Sequence, residues 1–403
     1  MSEIRSTSDV DIRLLSPEES ARLDIASYAF EASPAPPTQD REQYVPFLRG
    51  SRLPHAFDAT GTPVARLAIY PQRMNVRGKI LASGGVGSVA SLPAGRRSGM
   101  VRALMRHSFE LMREDGQAVS ALYPFRPSFY QRLGYAGWIR PQWAVIDPAH
   151  LEPVLKAGVS GTTEWGRIAD KWDEWCAFLA RVQRETHGFT ISDKPRGDLP
   201  QFRNDHWVVL VHEGDEVTGG MTYQITSYGG KMIVPAFYPL TVNARYTLLE
   251  WIARHADQTT EAHIQVLPGS WPELWLHDVE APTTSRDDAS WAAPMGRIVS
   301  IDGLTGIGAG EGRVALELMD DACPWNIGTW TFHGTGEVLE VAPGGEAQAT
   351  LAIQALASLV FNGAGPGSEP ESFRYRGWGN ADNVADALRG IFPPARPFIH
   401  DRF

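Results

Sequence analysis

The chain has 403 residues, 43% hydrophobic and 21% charged, a composition that fits ordinary globular protein and excludes a disordered or fibrous chain. At roughly 150 residues per domain it accommodates two or three domains. Thirty-seven basic against 47 acidic residues give a net charge of −10, which disfavours phosphate backbones and so nucleic-acid binding. No apolar run approaches the roughly 18 residues that a membrane helix needs, so no membrane insertion is expected. The first residues lack an apolar stretch of the secretory kind. Only two cysteines occur, Cys176 and Cys323, in unrelated contexts. They exclude a disulfide scaffold and a Cys-based zinc site and fit a reducing cytoplasm, the expected location.

In chain order, Ser16-Pro17 predicts a helix start, with Ser16 as N-cap and Pro17 in the first turn. Ala21, Leu23, Ile25, Ala26, Tyr28 and Ala29 then recur at broadly helical spacing, and the Pro-rich 32–40 ends the run. From His55 to Ala90 the period falls to two. Turn signals at Gly61 and Arg77-Gly78 make this an antiparallel meander. A strand over 83–92 leads through a tight turn to a helix over 97–114. One face of that helix carries Met100, Val101, Leu104, Met105, Phe109 and Met112, and Gly116 stops it. The apolar 117–124 reads as a buried strand parallel to 83–92, followed by a short helix around Ser128–Tyr135.

A second α/β segment repeats the order of sheet, helix and strand. It lacks an Arg-rich, Gly-containing turn where its helix begins. From about Arg297 the chain changes again, with the strands RIVSI, RVALELMD and TWTFHGTGEVLEVAP and two helical runs, ATLAIQALASLVFNG and NVADALRGIF. The fold class is therefore α/β and α+β multidomain, with units over 1–150, 151–290 and 291–403.

The most informative stretch is Val86-Gly-Ser-Val-Ala-Ser-Leu-Pro-Ala-Gly-Arg-Arg-Ser-Gly-Met-Val101. A strand ends, Pro93 forces a turn, and a helix begins at Arg-Arg-Ser-Gly. Free N–H groups and the positive end of the helix dipole make an anion seat there. Gly99 admits a close backbone approach, and Arg96 and Arg97 add charge. This pattern resembles the GNAT acetyltransferase superfamily. The resemblance implies that Val89, Ala90 and Ser91 pair with the pantetheine arm of acetyl-CoA. It implies further that Arg96, Arg97, Ser98, Gly99, Met100, Val101 and Arg102 cradle the pyrophosphate, with Phe125 and Arg126 also at the cofactor. The segment Phe129-Tyr130-Gln-Arg-Leu-Gly-Tyr135 is similar to the superfamily's stretch beside the thioester. It makes Tyr130 the acid that protonates the departing thiolate, while Tyr135 reads as a core aromatic.

Over its whole length the chain resembles the enhanced-intracellular-survival (Eis) acetyltransferases. These have a cofactor-binding GNAT domain, a second GNAT-like domain without cofactor, and a sterol-carrier-like C-terminal domain. The resemblance implies a homohexamer, an aminoglycoside-like or lysine-like primary amine (small molecule or peptide) as acceptor, and a general base in the terminal carboxylate of Phe403. Arg402 stands where the better-known members carry an acidic residue, and Ser88 replaces a bulky aromatic of the acceptor pocket. By analogy Tyr28, Phe30 and Glu31 border that pocket, a helix–sheet core contact being the equal alternative. No metal is implied. Gly306–Gly310 reads as a surface loop, His187 as a surface or hydrogen-bonded residue, and His400 as a solvated tail residue or one that tunes the base. The alternative from another functional class is a lipid- or acyl-CoA-binding protein without turnover.

Overall fold

The computed structural model describes residues 10–31, 45–192, 206–277, 282–284 and 293–401. The first helix starts as its sequence dictates. The Ser16 hydroxyl accepts from the Glu19 N–H, the Glu19 carboxylate accepts from the Ser16 N–H at 2.8 Å, and Pro17 opens the helix Pro17–Arg22. The single helix expected there is broken, because Leu23 turns extended (ψ 140°) and a second helix runs Ile25–Phe30. The break lets Ile25 enter the core while Leu23 lines a cavity. The Pro-rich stretch 32–40 lies outside the described residues.

The meander forms as expected from Pro54–Phe57, Pro63–Val76 and Lys79–Ser91. Arg77 and Gly78 both take positive φ (48° and 86°), the two-residue turn whose twist suits a hairpin. Lys79–Ser91 then pairs in parallel with Val119–Leu122 after the crossover helix Met100–Glu114. Leu104, Met105, Phe109 and Met112 of that helix are fully buried against the sheet.

Strand pairing departs from the sequence-based grouping in three places. Met295–Ile298, grouped above with the C-terminal segment, inserts into the first sheet between Val119–Leu122 and Ala136–Gly137. Gln142–Ile146 leaves the first segment for the second sheet, where it runs antiparallel to Thr259–Val266. Thr190–Ser192 crosses from the second segment to the first sheet and pairs with Gln72–Met74. Strand propensity is local, but a strand's partner is chosen by which unpaired edge the fold brings to it.

The second sheet holds the predicted strands Trp207–Glu213, Glu216–Ile225, Gly230–Pro239 and Thr259–Val266, with the helix Val242–Ala253 between the last two. The third sheet contains Glu311–Met319, the hairpin Gly328–Thr335 with Leu339–Pro343, and Ala349–Ala352. Its helix Ile353–Asn362 is almost wholly buried and packs Phe361 at a tilt against Trp138, the residue after the first-sheet strand Ala136–Gly137, at 5.1 Å.

Arg77 ties the units together. Its guanidinium donates to the carbonyls of Val360, Leu359 and Pro393 at 2.7–3.0 Å. Its N–H donates to His187 Nδ1, and His187 Nε2 donates to the Phe361 carbonyl. His187 is therefore a neutral connector, its pKa pushed down to about 4 by burial and by Arg77. The Gly306–Gly310 segment is packed against this hub instead of lying free on the surface. The Gly308 N–H donates to the Arg77 carbonyl at 2.7 Å, and a side chain at Gly308 would strike that same oxygen. No helix among the described residues is long and apolar enough to cross a membrane.

Candidate active site

The parallel pairing of Lys79–Ser91 with Val119–Leu122 runs from Ser83↔Val119 to Val86↔Leu122 and then stops. On its other edge the strand stays paired as far as Ser91↔Ala65. The two parallel strands therefore part beyond Val86, and Val89, Ala90 and Ser91 lie on the edge left open. Ser88 sharpens the opening. It has φ 52°, and the register with the neighbouring strand slips between Arg66↔Ala90 and Ala68↔Gly87, a β-bulge that bends the strand.

The open strand leads into Pro93–Gly95 and then the Arg-Arg-Ser-Gly turn. Arg97 takes φ 60°, Ser98 Oγ donates to the Gly95 carbonyl at 2.7 Å, and Gly99 caps the 15-residue helix at φ 85°. No side chain caps that helix, so the first-turn N–H groups around Met100, Val101 and Arg102 are left for a ligand. Arg96, Arg97, Ser98, Gly99 and Arg102 are all exposed around it. The corresponding helix of the second segment is closed by its own chain. Thr241 Oγ1 accepts from the Ala244 N–H and donates to the Glu213 carboxylate, which takes the place an anion would fill.

Beyond Leu122 an aromatic cluster flanks the opening. Phe125 is exposed and packs edge-on to Tyr130 at 5.5 Å, and Phe129 meets Tyr130 at 5.1 Å. Arg126 is exposed, with its Nε donating to Ser128 Oγ. The two tyrosines differ in what their hydroxyls do. Tyr135 is fully buried and donates to Ser120 Oγ at 2.8 Å, while Ser120 donates to the Gly84 carbonyl, so Tyr135 is a core residue as expected. Tyr130 is 2% exposed, and among the described residues its hydroxyl makes no hydrogen bond. Burial raises the Tyr130 phenol above its ordinary value, which keeps it protonated at neutral pH and makes it a weaker acid than a free phenol.

On the other side of the bulge lies a cavity of ≈ 230 Å³, lined by Leu23, Phe30, Glu31, Phe47, Arg66 and Ser88 among others. Three of the four acceptor-side residues chosen from sequence, Phe30, Glu31 and Ser88, thus meet around one space. Tyr28 does not line it. Its ring instead sits under the Arg96 guanidinium at 5.7 Å, joining the helix Ile25–Phe30 to the anion turn. Sequence reasoning missed Phe47, Arg66 and Tyr70. The signal for Arg66 was present as a charge inside the apolar run Val64–Tyr70.

The tail approaches this region along Thr190–Ser192. The Phe398 N–H donates to the His187 carbonyl, the His400 ring stacks on Phe189 at 4.8 Å, and His400 Nδ1 lies 2.8 Å from the Tyr238 hydroxyl. Asp401 accepts from Ser192 Oγ. His400 is thus docked and not solvated. Phe403, with Arg402, lies outside the described residues.

Residues 11–137 match the family model for an acetyltransferase (GNAT) domain, and residues 304–400 match that for a sterol carrier protein domain. An uncharacterized N-acetyltransferase of Streptomyces coelicolor is 23% identical over 352 residues, 82% of this chain and 84% of the relative. Among solved structures, a GCN5-related N-acetyltransferase from Kribbella flavida aligns with TM-score 0.80 at 18% identity, over 99% of this chain and 100% of its own. Eis1 from Mycobacterium abscessus aligns with TM-score 0.74 at 16% identity, over 98% and 100%. At such identities the solved structures establish a shared fold, here from one end of the chain to the other. Residues 11–137, which hold the splayed strand and the anion turn, match a GNAT acetyltransferase domain, and the chain as a whole shares its fold with Eis1 from Mycobacterium abscessus.

Proposed function

We propose that the protein transfers the acetyl group of acetyl-CoA to a primary amine by direct attack. The observation that carries this reading is the continuity of the open strand edge at Val89–Ser91 with the uncapped helix start at Gly99. An extended pantetheine arm fits the first and a pyrophosphate the second. In this reading main-chain donors on the open edge polarise the thioester carbonyl. The exposed arginines 96, 97 and 102 neutralise phosphate charge, and Tyr130 gives its proton to the sulfur as the C–S bond breaks. The amine attacks in its neutral form, so a base must take its proton. The resemblance assigns that role to the Phe403 carboxylate, which the tail would deliver across Thr190–Ser192, and it gives a homohexamer as the working assembly.

The test is CoA release from acetyl-CoA with a panel of primary amines and a thiol reporter. Tyr130→Phe is expected to lower kcat by roughly 10²–10⁴-fold with acetyl-CoA affinity unchanged. Full activity in that variant would remove Tyr130 from the mechanism. A C-terminal amide at Phe403 tests the base in the same assay, and sedimentation tests the hexamer.

A further inference from the structure

Among the described residues Arg66 and Arg297 are buried and Arg77 is half-buried, and two of these three have their partners. Arg297 is held by both oxygens of Asp320 at 2.7 Å, and Arg77 by three carbonyls. Arg66 is different. It is 3% exposed, no carboxylate forms an ion pair with it among the described residues, and its Nε makes no hydrogen bond. Its one hydrogen bond there is a long contact from Nη1 to the Ser20 carbonyl at 3.4 Å. A buried cation without a counter-charge is costly, and this one faces a cavity instead of packed protein.

The described residues around it do not supply the missing charge. His55, opposite Arg66 in the sheet, lies 2.9 Å from the Leu53 carbonyl through Nδ1 and 3.2 Å from Ser20 Oγ through Nε2. Burial pushes its pKa down to about 4, so it is neutral at physiological pH. Glu31 lines the same cavity from the exposed end of its helix and makes no ion pair with Arg66 among the described residues. The remaining wall includes Leu23, Phe30 and Phe47. At ≈ 230 Å³ the space falls below the roughly 300–1,000 Å³ of drug-sized sites. Arg66 is also in register with Ala90 on the open strand, and Ser88 of the bulge lines the cavity. The Arg66 backbone is therefore about one strand spacing, roughly 5 Å, from the strand whose far edge would hold the thioester, and its side chain lines the cavity beside the bulge.

We propose that Arg66 anchors a carboxylate of the acceptor, so that the substrate class is a small, apolar-bodied amino acid carrying a primary amine, and not a polyamine. The planar fork of a guanidinium matches a carboxylate bidentately, which suits Arg66 to this role better than a point charge would. The carboxylate is a handle only. In the reaction the amine nitrogen forms the bond to the acetyl carbon, the C–S bond breaks, the thiolate takes a proton, and the carboxylate is unchanged. The anchor would set the amine against the open strand while the apolar wall holds the body. This assignment rests on the transferase reading for its chemistry, but the anion site itself can be read without turnover.

Two measurements on the full chain test it. The first is calorimetry with 4-methylpentanoate and with 4-methylpentanamide, which lack the amine and cannot react. The acid is expected to bind at least roughly tenfold more tightly than the amide. Arg66→Met should erase that preference, Arg66→Lys should keep part of it, and acetyl-CoA affinity should be unaltered in both. The second is CoA release with leucine, leucinamide and cadaverine, in which leucine should have the highest kcat/KM and Arg66→Met should level leucine with leucinamide. Equal binding of acid and amide by the wild type, or an acid preference that survives in Arg66→Met, overturns the anion site. If the acid binds through Arg66 while no amine is turned over, the transferase reading fails and the site stands. If amines are acetylated with no preference for leucine over leucinamide, the acceptor assignment fails and the transferase stands.

Discussion

Replacing Asp320 with Ala isolates the contact through which the third sheet steadies the Tyr130 segment. Arg297 sits on the strand that inserts into the first sheet, and its side chain and that of Asp320 are 0% and 1% exposed. The carboxylate accepts Arg297 Nη2 on both oxygens at 2.7 Å and also takes the N–H groups of Ala322 and Cys323 and the amide of Asn326. Arg297 in turn donates through Nη1 to the Leu133 carbonyl, in the turn between Tyr130 and Tyr135, and covers the Phe109 ring at 4.2 Å. Removing one partner of a buried pair leaves the other uncompensated and costs about 3–5 kcal/mol. With roughly 2.1 cal/mol/K per residue, 403 residues give an unfolding entropy near 0.85 kcal/mol/K, so a cooperative melt should shift down by about 4–6 °C. Scanning calorimetry reads the shift. A thiol reagent at neutral pH reads the local change, because burial pushes the Cys323 thiol up to about 12 and keeps it inert. The measurement is made in a Cys176→Ser background, since Cys176 is the other free thiol. A double variant, Arg297→Met with Asp320→Leu, should recover only part of the loss, since it still strands the Leu133 carbonyl and the N–H groups of Ala322 and Cys323. A melting temperature within about 1 °C of wild type, with Cys323 still protected, would refute the reasoning.

Gly99→Val forces a β-branched residue to φ 85° at the helix start, where the left-handed region costs about 1–2 kcal/mol. Calorimetry should show weaker acetyl-CoA binding with circular dichroism unchanged. Arg96→Ala and Arg97→Ala should each weaken acetyl-CoA by about 1.5–3 kcal/mol if they contact phosphate, again read by calorimetry. His55 is fully buried, and its pKa falls from 6.5 unfolded to about 4 folded. The unfolded chain therefore takes up the proton first. His55 contributes its full stability above pH 6.5 and loses it as pH falls toward 4, a change of about 3 kcal/mol. Melting temperatures recorded from pH 7.5 to 4 should fall less steeply in His55→Gln than in wild type.

Some of this protein is written locally in its sequence. Ser16-Pro17 with Glu19 starts a helix wherever it stands, and Arg77-Gly78 between alternating strands makes a hairpin. Strand, Pro93 and the Arg-Arg-Ser-Gly turn make an uncapped helix start. Each depends on the backbone preferences of a few neighbouring residues, so the anion seat and the Tyr130 segment were legible before any fold was known. The positive φ of Ser88 was not, because the bulge arises from the register of two strands and puts the left-handed residue at Ser88 and not at the adjacent Gly87. The break at Leu23 is settled by which side of the helix finds a core. The crossing of Met295–Ile298 into the first sheet, and the bond from Arg297 to a carbonyl 164 residues earlier, depend on edges and cavities that exist only after the chain has folded. Arg66 shows the division most clearly. The sequence determines that a cation lies inside an apolar strand. Only the tertiary structure decides that it gains no counter-charge among the described residues and faces a cavity, because pairing of a buried charge is a property of what packs around it.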